Sequence, residues 1–452
     1  MTASDTIVAP ATPNGTSALA IVRVSGPGAR ELADAALGHP PLEPRAATHR
    51  SYHDRHGQLV DDVVATFYQG PQSYTGEDLL EVSSHGNPLI IKRLVEDFVG
   101  RGARLAAPGE FTRRAFLGGR MDLAQAEAVM DVIHARSEQA LAAAQQQLRG
   151  SLGRRMQQLT DALVGIVARL EAYIDFPEED LPAEDRETLV GGIEAVLRGT
   201  DDLLATQRYG DLLRDGLRVV LVGEPNAGKS TLLNALLGEE RALVSSEPGT
   251  TRDYLEAELV INGFLIRLID TAGLNPTPGS IEQLGINKTW EQVEQAHLLL
   301  IVLDATRPTP PLSTRLLDQL HGRPCFVVAN KADQLPAGAP LPSLGSRFES
   351  MRVSALEGPG VNELREAIGA TAAGFEPADN ADRIAINARH AGALEEVRRS
   401  LQEASAQIRA DIPGELVAAN LRSALAACSE IVGPIDHERV LDRLFADFCI
   451  GK

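Results

Sequence analysis

Near its midpoint the sequence reads Gly223-Glu224-Pro225-Asn226-Ala227-Gly228-Lys229-Ser230, between a strand-like run, Leu217 to Val222, and a helix-like run, Thr231 to Leu237. A glycine-rich turn at a helix N-terminus directs free backbone N–H groups and partial positive charge at one point, so it cradles a polyphosphate. In such a loop Lys229 reaches the outer phosphates and the Ser230 hydroxyl ligates Mg²⁺. The alternative interpretation is a chance Gly-Lys-Ser turn.

Three further motifs follow strand-like runs. The first, Asp270-Thr271-Ala272-Gly273, is expected to hold Mg²⁺ through water and to sense the γ-phosphate. In the second, Asn330-Lys331-Ala332-Asp333, the last carboxylate accepts from both N1–H and the 2-amino group of guanine, which adenine does not offer. The third, Ser354-Ala355-Leu356, resembles the loop that supports the guanine oxygen. Together the motifs predict a GTPase domain, residues 216–375, with a mostly parallel sheet covered by helices on both faces.

The residues that activate the attacking water differ from those of small signalling GTPases. Leu274 stands where those proteins carry glutamine, and leucine does not polarise water. Glu282, at the start of a helix-like segment, is the best-placed catalytic carboxylate, although a solvated glutamate in a first helical turn explains it equally well. Arg252 is either an internal arginine finger or a residue that orders its own loop.

Asn226 and the first switch are predicted to hold cations. The Asn226 amide oxygen would coordinate a monovalent cation between the α- and γ-phosphates, in the role of an arginine finger. Alternatively Asn226 only stabilises the turn, as asparagine readily does. Thr250 and Thr251 belong to the first switch, and Thr251 is expected to ligate Mg²⁺ together with Ser230.

The composition is typical of a soluble globular protein with two or three domains. The chain has 452 residues, of which 44% are hydrophobic and 23% charged. No apolar stretch approaches the ~20 residues of a membrane span and the start lacks a signal-peptide pattern, so we expect a cytoplasmic protein with no membrane contact. The net charge of −19 argues against broad nucleic-acid binding, so any RNA contact is expected to be local or supplied by a partner. The 3 cysteines predict neither a disulfide framework nor a zinc cluster, with Cys325 in a strand core and Cys428 in a helix core.

The regions on either side of the GTPase domain differ in pattern. Over residues 1–120, strand-like runs alternate with a helix-like run, which predicts an α+β domain. The strand-like runs are Ala18 to Val24, Val63 to Tyr68 and Leu79 to Val82, and the helix-like run is Pro88 to Val99.

Helical periodicity flanks the GTPase domain, from Asp122 to Ile174 and again from Arg389 to Phe448. It predicts an all-α domain in two parts, residues 121–215 and 376–452. The GTPase domain is then an insertion, which is tolerated when the ends of the insert lie close together. The alternative is two separate helical units. The predicted fold is therefore multidomain, with an α+β domain, an all-α helical domain and an inserted α/β P-loop GTPase domain.

Short motifs outside the GTPase domain are spread over both flanking regions. They are Asp5-Thr6-Ile7-Val8-Ala9-Pro10-Ala11-Thr12-Pro13, Thr75-Gly76-Glu77-Asp78, Pro108-Gly109-Glu110-Phe111, Asp122-Leu123-Ala124-Gln125-Ala126-Glu127-Ala128 and Phe448-Cys449-Ile450-Gly451-Lys452. With the GTPase core they resemble the MnmE family, also called TrmE, of tRNA modification GTPases. The resemblance implies an N-terminal domain that binds a tetrahydrofolate derivative and makes a homodimer, a helical domain, and an inserted GTPase domain.

The resemblance also implies a partner and a reaction. With an FAD-containing partner, MnmG, in a hetero-oligomeric complex, the family adds an aminomethyl or carboxymethylaminomethyl group to carbon 5 of the wobble uridine in certain tRNAs. The one-carbon unit comes from methylene-tetrahydrofolate, and the other part comes from ammonium or glycine. GTP hydrolysis drives the modification.

In the family the GTPase domains of a dimer face each other across the first switch, with K⁺ bound by the phosphate-loop asparagine and switch-loop groups, so the resemblance implies a K⁺-stimulated, dimerisation-activated GTPase. The implied K⁺ ligands are Asn226, Ser245, Glu247 through its carbonyl, and Thr250, with serine at 245 where threonine is usual. Glu282 corresponds to the glutamate that fixes the catalytic water, so no arginine finger is required. The GTP contacts given by the motifs and the resemblance are Asn226, Ala227, Gly228, Lys229, Ser230, Thr231, Ser245, Ser246, Glu247, Pro248, Gly249, Thr250, Thr251, Asp270, Thr271, Ala272, Gly273, Asn330, Lys331, Asp333, Ser354 and Ala355.

Four folate-binding residues are carried over from the resemblance. Glu81 is expected to pair with the ring N–H and 2-amino group of the pterin in a bidentate fashion. Arg23 and Arg120 would hold polar or anionic parts of the cofactor, with Arg120 standing where lysine is common. Lys452 resembles the terminal lysine that reaches the same pocket. From the residues alone, surface salt bridges are the alternative.

Cys449 is the remaining catalytic candidate. In the family this cysteine is required for modification and not for GTP hydrolysis. Its thiol or thiolate would assist transfer chemistry if the tail folds back toward the folate pocket. Alternatively it is a small residue that packs the tail.

Two other function classes stay open at this point. One is a regulatory or ribosome-assembly GTPase switch, in which the N-terminal domain only dimerises. The other is a folate-binding aminomethyl transferase in which GTP is structural. Folate binding distinguishes the regulatory switch from the predicted function. The transferase with structural GTP is excluded if Glu282→Ala abolishes GTP turnover while GTP affinity survives.

Overall fold

The computed structural model describes residues 5–175, 183–238, 255–271, 289–310, 314–320, 322–336, 338–345, 348–377, 383–433 and 451. The chain divides into two compact units. The first unit contains residues 1–130, 147–197 and 393–452, and the second unit contains residues 131–146 and 198–392. Four helices carry the chain from one unit to the other: Leu123–His134, Glu138–Leu148, Ala183–Ala205 and Ala388–Arg409.

A six-stranded mixed sheet forms the first part of the first unit. Its strands, in spatial order, are Thr48–His53, Leu59–Tyr68, Leu79–Gly86, Ser17–Ser25, Ile7–Pro10 and Arg104–Leu105. Neighbouring strands are antiparallel except for the last pair, which is parallel. Because successive side chains on a strand point to opposite faces, alternate residues such as Val22, Val24, Leu80 and Val82 share one buried core.

Two helices cover that face of the sheet, Ala29–Leu37 and Pro88–Gly100. The second begins where the sequence places a cap and a proline: the Asn87 side chain accepts from the Leu89 N–H at 2.9 Å, and Pro88 occupies a first-turn position. The predicted strands and helix of this region are confirmed, with ends extended by a few residues. The short strands Ile7–Pro10 and Thr48–His53 were not predicted.

The rest of the first unit is helical. Beyond the helices that cross between the units, it contains Glu110–Leu117, Ser151–Asp175 and Gly414–Val432. The two long helices pack together, and the Gly414 backbone approaches Leu170 and Ile174 so closely that a Cβ on this glycine would lie 3.1 Å from an Ile174 side-chain carbon. Cys428 is completely buried in the last helix, as predicted. The prediction for Phe448 and its neighbours lies outside the described residues.

A second six-stranded sheet lies in the second unit. Its spatial order is Glu349–Arg352, Cys325–Asn330, Leu298–Asp304, Leu217–Val222, Phe264–Asp270 and Leu255–Ile261. All neighbouring strands are parallel except the last pair. Val219 and Leu221 lie in one hydrophobic core and Val220 and Val222 in another, so the central strand is buried on both faces. The predicted α/β sheet of the GTPase domain is thus confirmed, with Cys325 only half-buried at a strand end.

Among the described residues, helices that lie wholly inside the second unit include Gln207–Asp215, Lys229–Leu237, Thr314–Leu320 and Val361–Ala373, with a 3₁₀ turn at Ala332–Gln334. Residues 131–146 also belong to this unit, although the sequence assigned them to the helical domain. The reason is packing: the Gln139 N–H donates to the Gly263 carbonyl at 3.1 Å, and Ala143 is buried in the core of the sheet. The predicted domain boundaries themselves stay predictions.

Candidate functional site

The phosphate-binding loop joins the buried strand Leu217–Val222 to the helix Lys229–Leu237. Asn226 has φ of +65° and Gly228 has φ of +90°, both in the left-handed region. Gly228 must be glycine for a second reason, because a Cβ there would lie 2.3 Å from Asn330 Nδ2. The loop backbone therefore takes the turn that exposes its N–H groups at the start of the helix.

Lys229 is folded into this loop. Its side chain is buried, and Nζ donates to the carbonyl oxygens of Gly223 and Glu224, each at 3.0 Å. Burial lowers the pKa of Lys229, and the nearby Asp270 carboxylate partly offsets that effect. The ammonium group thus lies at the centre of the loop, where it is available to an anion that offers better acceptors than two carbonyls.

Ser230 and Asp270 form a set of oxygen ligands beside the loop. Ser230 Oγ donates to Asp270 Oδ2 at 2.5 Å. The other oxygen, Asp270 Oδ1, is buried and has no hydrogen-bond partner in the described part of the chain. A buried carboxylate oxygen without a partner is costly, and hydroxyl and carboxylate oxygens are the ligands that Mg²⁺ prefers. The residues present therefore fit the predicted magnesium site.

Asn330 connects the phosphate loop to the predicted guanine site. Its side-chain Nδ2 donates to the Ala227 carbonyl at 2.9 Å, and its Oδ1 accepts from the Ala355 N–H at 3.0 Å. Asp333 is exposed, and one of its oxygens accepts from the Ser354 hydroxyl at 2.6 Å. Among the described residues, the remaining acceptor positions of Asp333 are open to a base. The phosphate loop, the motif that begins at Asn330 and the loop at Ser354 therefore converge at one edge of the sheet.

Asp304 is a member of this cluster that the sequence did not reveal. Lys331 has φ of +64°, and its Nζ donates to Asp304 Oδ2 at 2.7 Å. Burial opposes ionisation of Asp304, but hydrogen bonds from Lys331 and Thr306 hold the pKa of its carboxyl group below the usual value. The strand register that pairs Asp304 with Asn330 brings the two residues together, and neither motif spacing nor residue type signals it.

Several predicted residues lie outside the described part of the chain. They are the switch residues Ser245, Ser246, Glu247, Pro248, Gly249, Thr250 and Thr251, the motif residues Ala272 and Gly273, the catalytic candidates Glu282 and Cys449, and the terminal Lys452. Leu274 and Arg252 lie there as well. Thr271 is described, and its hydroxyl donates to the Leu221 carbonyl at 2.7 Å, which fixes the end of the strand that carries Asp270. Thr231 is exposed in the first helical turn.

In the first unit, Arg23 and Glu81 face each other on neighbouring strands. Arg23 donates to Glu81 Oε1 from Nε at 3.0 Å and from Nη2 at 2.7 Å. The Tyr68 hydroxyl approaches the other carboxylate oxygen at 3.4 Å. The Arg23 guanidinium also lies 5.3 Å from the ring centroid of Tyr74 and 5.6 Å from that of Phe111. Two of the four predicted folate residues are thus brought together.

The end of the chain reaches the same arginine. The Gly451 carbonyl accepts from Arg23 Nη1 at 3.2 Å. Gly451 has φ of +95°, and a Cβ on it would lie 1.9 Å from the Pro10 carbonyl oxygen, so glycine is required for this approach. A cavity of about 790 Å³ lies elsewhere in this region, between Pro10, Leu105 and the helix Pro88–Gly100, and neither Arg23 nor Glu81 lines it.

A network of five charged residues was missed by the sequence interpretation. Arg114 donates to Asp5, Glu77 and Glu110, and Arg104 donates to Asp5 and Glu110, at 2.7 to 3.3 Å. The hydrogen bond from Arg104 lowers the pKa of Asp5, despite the opposing effect of burial. No local sequence pattern predicts this network, because its members come from segments up to 109 residues apart.

Within the described ranges, no helix is long and apolar enough to cross a membrane. Among the same residues, no group of three or more His, Cys, Asp or Glu side chains is arranged to hold a metal ion. Cys325 and Cys428 are free thiols, and burial raises the pKa of each to about 11.

Comparison with known proteins gives consistent matches along the chain. Residues 6–120 match the family model described as GTP-binding protein TrmE N-terminus, and residues 123–449 match the model of the MnmE helical domain. The tRNA modification GTPase MnmE of Opitutus terrae is 51% identical over 448 residues, which cover 99% of both chains. The proteins of the same name from Moorella thermoacetica and Aquifex aeolicus are 42% and 41% identical, each over 99% of both chains.

Proposed function

Because this chain belongs to the MnmE family, whose matched members are named tRNA modification GTPases, we propose that its GTP hydrolysis drives modification of the wobble uridine in certain tRNAs. The product carries an aminomethyl or carboxymethylaminomethyl group on carbon 5 of that base. The proposal includes a tetrahydrofolate one-carbon donor, a homodimer acting in the cytoplasm, and an FAD-containing partner, MnmG. The tRNA contacts this chain locally or through that partner.

The GTPase activity is best supported by the position of four residues at one edge of the second sheet: Lys229, Ser230, Asp270 and Asn330. Ser230 and Asp270 are 2.5 Å apart, and the Asn330 amide ties the phosphate loop to the guanine motif. Bound Mg²⁺ would neutralise charge on the β- and γ-phosphates. Lys229 then exchanges its two carbonyl acceptors for phosphate oxygens, and Asp333 accepts two hydrogen bonds from guanine.

Hydrolysis itself is assigned to Glu282. Its carboxylate would orient the water that attacks the γ-phosphate, the role that Leu274 does not fill. The water gives its proton to solvent or phosphate, the bond from the γ-phosphorus to the bridging oxygen breaks, and GDP and inorganic phosphate result. This assignment rests on the family resemblance, because Glu282 lies outside the described residues.

Asn226 supports the proposal that K⁺ stimulates the reaction. It is exposed at the surface of the phosphate loop in a left-handed conformation, with a side-chain oxygen suited to a monovalent cation. Ser245, Glu247 and Thr250 would complete the ligands when two GTPase domains meet. We expect hydrolysis at least 10-fold faster in K⁺ than in Na⁺ at equal ionic strength, since a preorganised cation stabilises charge that develops in the transition state. Equal rates would remove the cation from the mechanism.

The paired Arg23 and Glu81 support folate binding in the first unit. Glu81 is half-buried, and its Oε1 accepts two hydrogen bonds from the planar Arg23 guanidinium. A pterin edge also presents two parallel N–H donors, which the carboxylate would bind through both of its oxygens. The Gly451 carbonyl accepts a hydrogen bond from Arg23. The proposal also gives Cys449 and Lys452, which neighbour Gly451 in sequence, a part in this site. The role of Cys449 in group transfer is part of the proposal.

The decisive experiment is mass spectrometry of tRNA from a strain that lacks this protein. Loss of the carbon-5 modification from wobble uridines, restored by the wild-type chain, is the expected result. The second candidate is a regulatory GTPase, favoured by the fact that none of the predicted folate residues is among the described residues that form the nucleotide site. It predicts unchanged tRNA and an altered ribosome profile. Fully modified tRNA in the deletion strain rejects the proposed function.

A further inference from the structure

A β-hairpin at the edge of the first sheet carries a group of basic residues. Its strands, Thr48–His53 and Leu59–Tyr68, are joined by the turn Asp54-Arg55-His56-Gly57-Gln58, in which Arg55 and His56 are exposed. The net charge of −19 repels polyanions from most of the protein surface, so a polyanion binds best where exposed cations are grouped. The turn is such a place if the neighbouring acidic groups are neutralised.

The guanidinium of Arg55 is held against the end of the helix Pro88–Gly100. A Cβ on Gly100 would lie 2.0 Å from Arg55 Nη1 and 2.6 Å from Arg55 Cζ, so the guanidinium occupies the space that a larger residue would need. Arg55 Nε donates to His56 Nε2 at 3.3 Å, and the Arg55 backbone N–H donates to Asp97 Oδ1 at 2.8 Å. Both the backbone and the head of Arg55 are therefore held in place.

The two acidic groups beside the turn are engaged in other hydrogen bonds. Asp54 Oδ1 accepts from two backbone N–H groups of the turn, each at 2.9 Å. Asp97 is buried and accepts from the Tyr52 hydroxyl at 2.8 Å and from Arg101 Nε at 2.6 Å. Within the described ranges, no carboxylate forms an ion pair with the Arg55 guanidinium. A guanidinium that is positioned but not paired is organised in advance to bind an external anion.

Arg93 adds a second cation to this surface and is exposed on the same helix. The hydrogen bond from the Gln58 N–H lowers the pKa of Asp54, and the nearby charge of Arg93 acts in the same direction. The dipole of a helix also stabilises a cation at its C-terminal end, but Arg101 fills that role and donates to two backbone carbonyls. In the described part of the chain, Arg55 and Arg93 bind no carbonyl, so capping of the helix does not account for them.

We propose that the basic turn, formed by Arg55, His56 and Arg93, binds phosphate groups of the RNA substrate, and that Gly100 is a positioning residue for Arg55. This inference rests on the proposed tRNA modification and names the surface of this chain that contacts the tRNA. A guanidinium binds a phosphate through two parallel hydrogen bonds. Contacts of this kind fix the position of an RNA without reading its sequence, so the turn holds the tRNA and does not select among tRNAs.

The first test measures binding of unmodified tRNA to the full-length protein at several salt concentrations, by fluorescence anisotropy. Loss of one phosphate contact weakens binding and lowers the salt dependence of log Kd by about one. We expect Arg55→Ala to raise the Kd about 10-fold at low salt and to show that smaller salt dependence. Arg399→Ala, which removes the same charge from an exposed position elsewhere in the first unit, is the control and should change the Kd less than 2-fold. Equal losses in the two variants overturn the inference.

Gly100→Ala tests the positioning role while every charge is retained. Its methyl group displaces the Arg55 guanidinium, whereas Gly165→Ala, also within a helix, introduces a methyl group with nothing within 4 Å. Because alanine favours helices more than glycine does, neither variant should unfold at a lower temperature than wild type. We expect the tRNA Kd to rise about 5-fold in Gly100→Ala and to be unchanged in Gly165→Ala.

A double-mutant cycle then tests whether Gly100 acts through Arg55. In an Arg55→Ala background, Gly100→Ala should raise the tRNA Kd no further, because the side chain that it displaces is absent. An unchanged Kd in the Gly100→Ala single variant, or additive losses in the double variant, overturns the positioning role.

The same measurements separate the RNA assignment from the proposed function. If Arg55→Ala binds tRNA as wild type does but no longer co-purifies with the flavoprotein partner, the turn contacts an acidic protein surface and the RNA assignment is overturned. If the wild-type protein alone binds no tRNA, the contact is made through the partner; the inference is then overturned and the proposed function stands. Fully modified tRNA in the deletion strain rejects the proposed function itself.

Discussion

The nucleotide site and the candidate folate site are built in opposite ways. In the second unit, Ser230, Asp270 and Asn330 each follow or end a parallel strand, and the carboxyl ends of parallel strands meet at one edge of a sheet. In the first unit, Arg23 and Glu81 lie within antiparallel strands and meet because the register places them opposite one another. A site at the edge of a parallel sheet can therefore be predicted from short motifs at the strand ends. A site on the face of an antiparallel sheet depends on the register between strands that are distant in sequence.

The two sites also use different chemical groups. The phosphate loop binds its ligand through backbone N–H groups, so it depends on a particular backbone conformation. Gly228 and Asn226 adopt that conformation with positive φ. Of the described folate candidates, Arg23 and Glu81 are charged side chains paired with each other, and Arg120 is exposed. A substitution in one site should therefore leave ligand binding at the other site unchanged, and each of the following predictions tests that independence.

The largest effect is expected from Glu282→Ala. Removal of the carboxylate that orients water should lower kcat for GTP hydrolysis by at least about 100-fold, the usual size of a general-base contribution, while GTP affinity changes less than 2-fold. Phosphate release and nucleotide titration measure the two quantities. Glu291→Ala, at an exposed glutamate further along the chain, is the control and should leave both unchanged. Undiminished hydrolysis in Glu282→Ala would falsify the catalytic assignment.

Asp333→Asn should change base selectivity. The asparagine keeps one acceptor oxygen but presents an N–H to the 2-amino group of guanine where the carboxylate offered a second acceptor, so the Kd for GTP should rise about 30-fold or more, which is about 2 kcal/mol. Xanthine carries an oxygen in place of the 2-amino group, so the variant should bind XTP more tightly than GTP. Competition binding measures the ratio. A variant that still prefers GTP contradicts this interpretation of the guanine site.

Glu81→Gln should weaken folate binding in the first unit and leave GTP hydrolysis in the second unit unchanged. A glutamine offers one acceptor and one donor where a pterin edge presents two donors, so the Kd for 5-formyl-tetrahydrofolate should rise about 10-fold. GTP hydrolysis by the isolated protein should be unchanged. Glu96→Ala, at an exposed helical position, is the control. Loss of GTP hydrolysis in Glu81→Gln, or retention of full folate affinity, would show that the two sites are not separate in the way described.

The smallest effect is expected from Asp304→Asn. The amide keeps an oxygen for Thr306 but loses the charge that holds the Lys331 ammonium at 2.7 Å. Because the pair is only partly shielded from solvent, the Kd for GTP should rise about 3- to 5-fold. Asp318→Asn, at an exposed position in the same unit, serves as the comparison. Identical affinities in the two variants would show that Asp304 does not support the guanine motif.

The sequence predicted the secondary structure best where patterns were strongly periodic. Continuous apolar runs predicted the parallel strands Leu217–Val222, Phe264–Asp270 and Cys325–Asn330 of the second sheet, and the helix that begins at Pro88 was predicted as well. Thr48–His53 was missed because it is an edge strand with one buried side chain, that of Tyr52, among polar residues. The helix Leu123–His134 is buried at Leu123 in the first unit and exposed at Ile133 in the second.

By itself the sequence determined the phosphate loop, the magnesium and guanine motifs and the mostly parallel sheet of the GTPase domain, because backbone conformation and strand ends are governed by neighbouring residues. Only the tertiary structure decided that Asp304 supports Lys331, that Gly451 reaches Arg23 across 428 positions, and that Gly100 lies against Arg55. These contacts depend on register and packing between distant segments. Local residue type carries little information about such pairings, since many surface arginines, aspartates and glycines have the same immediate neighbours in sequence.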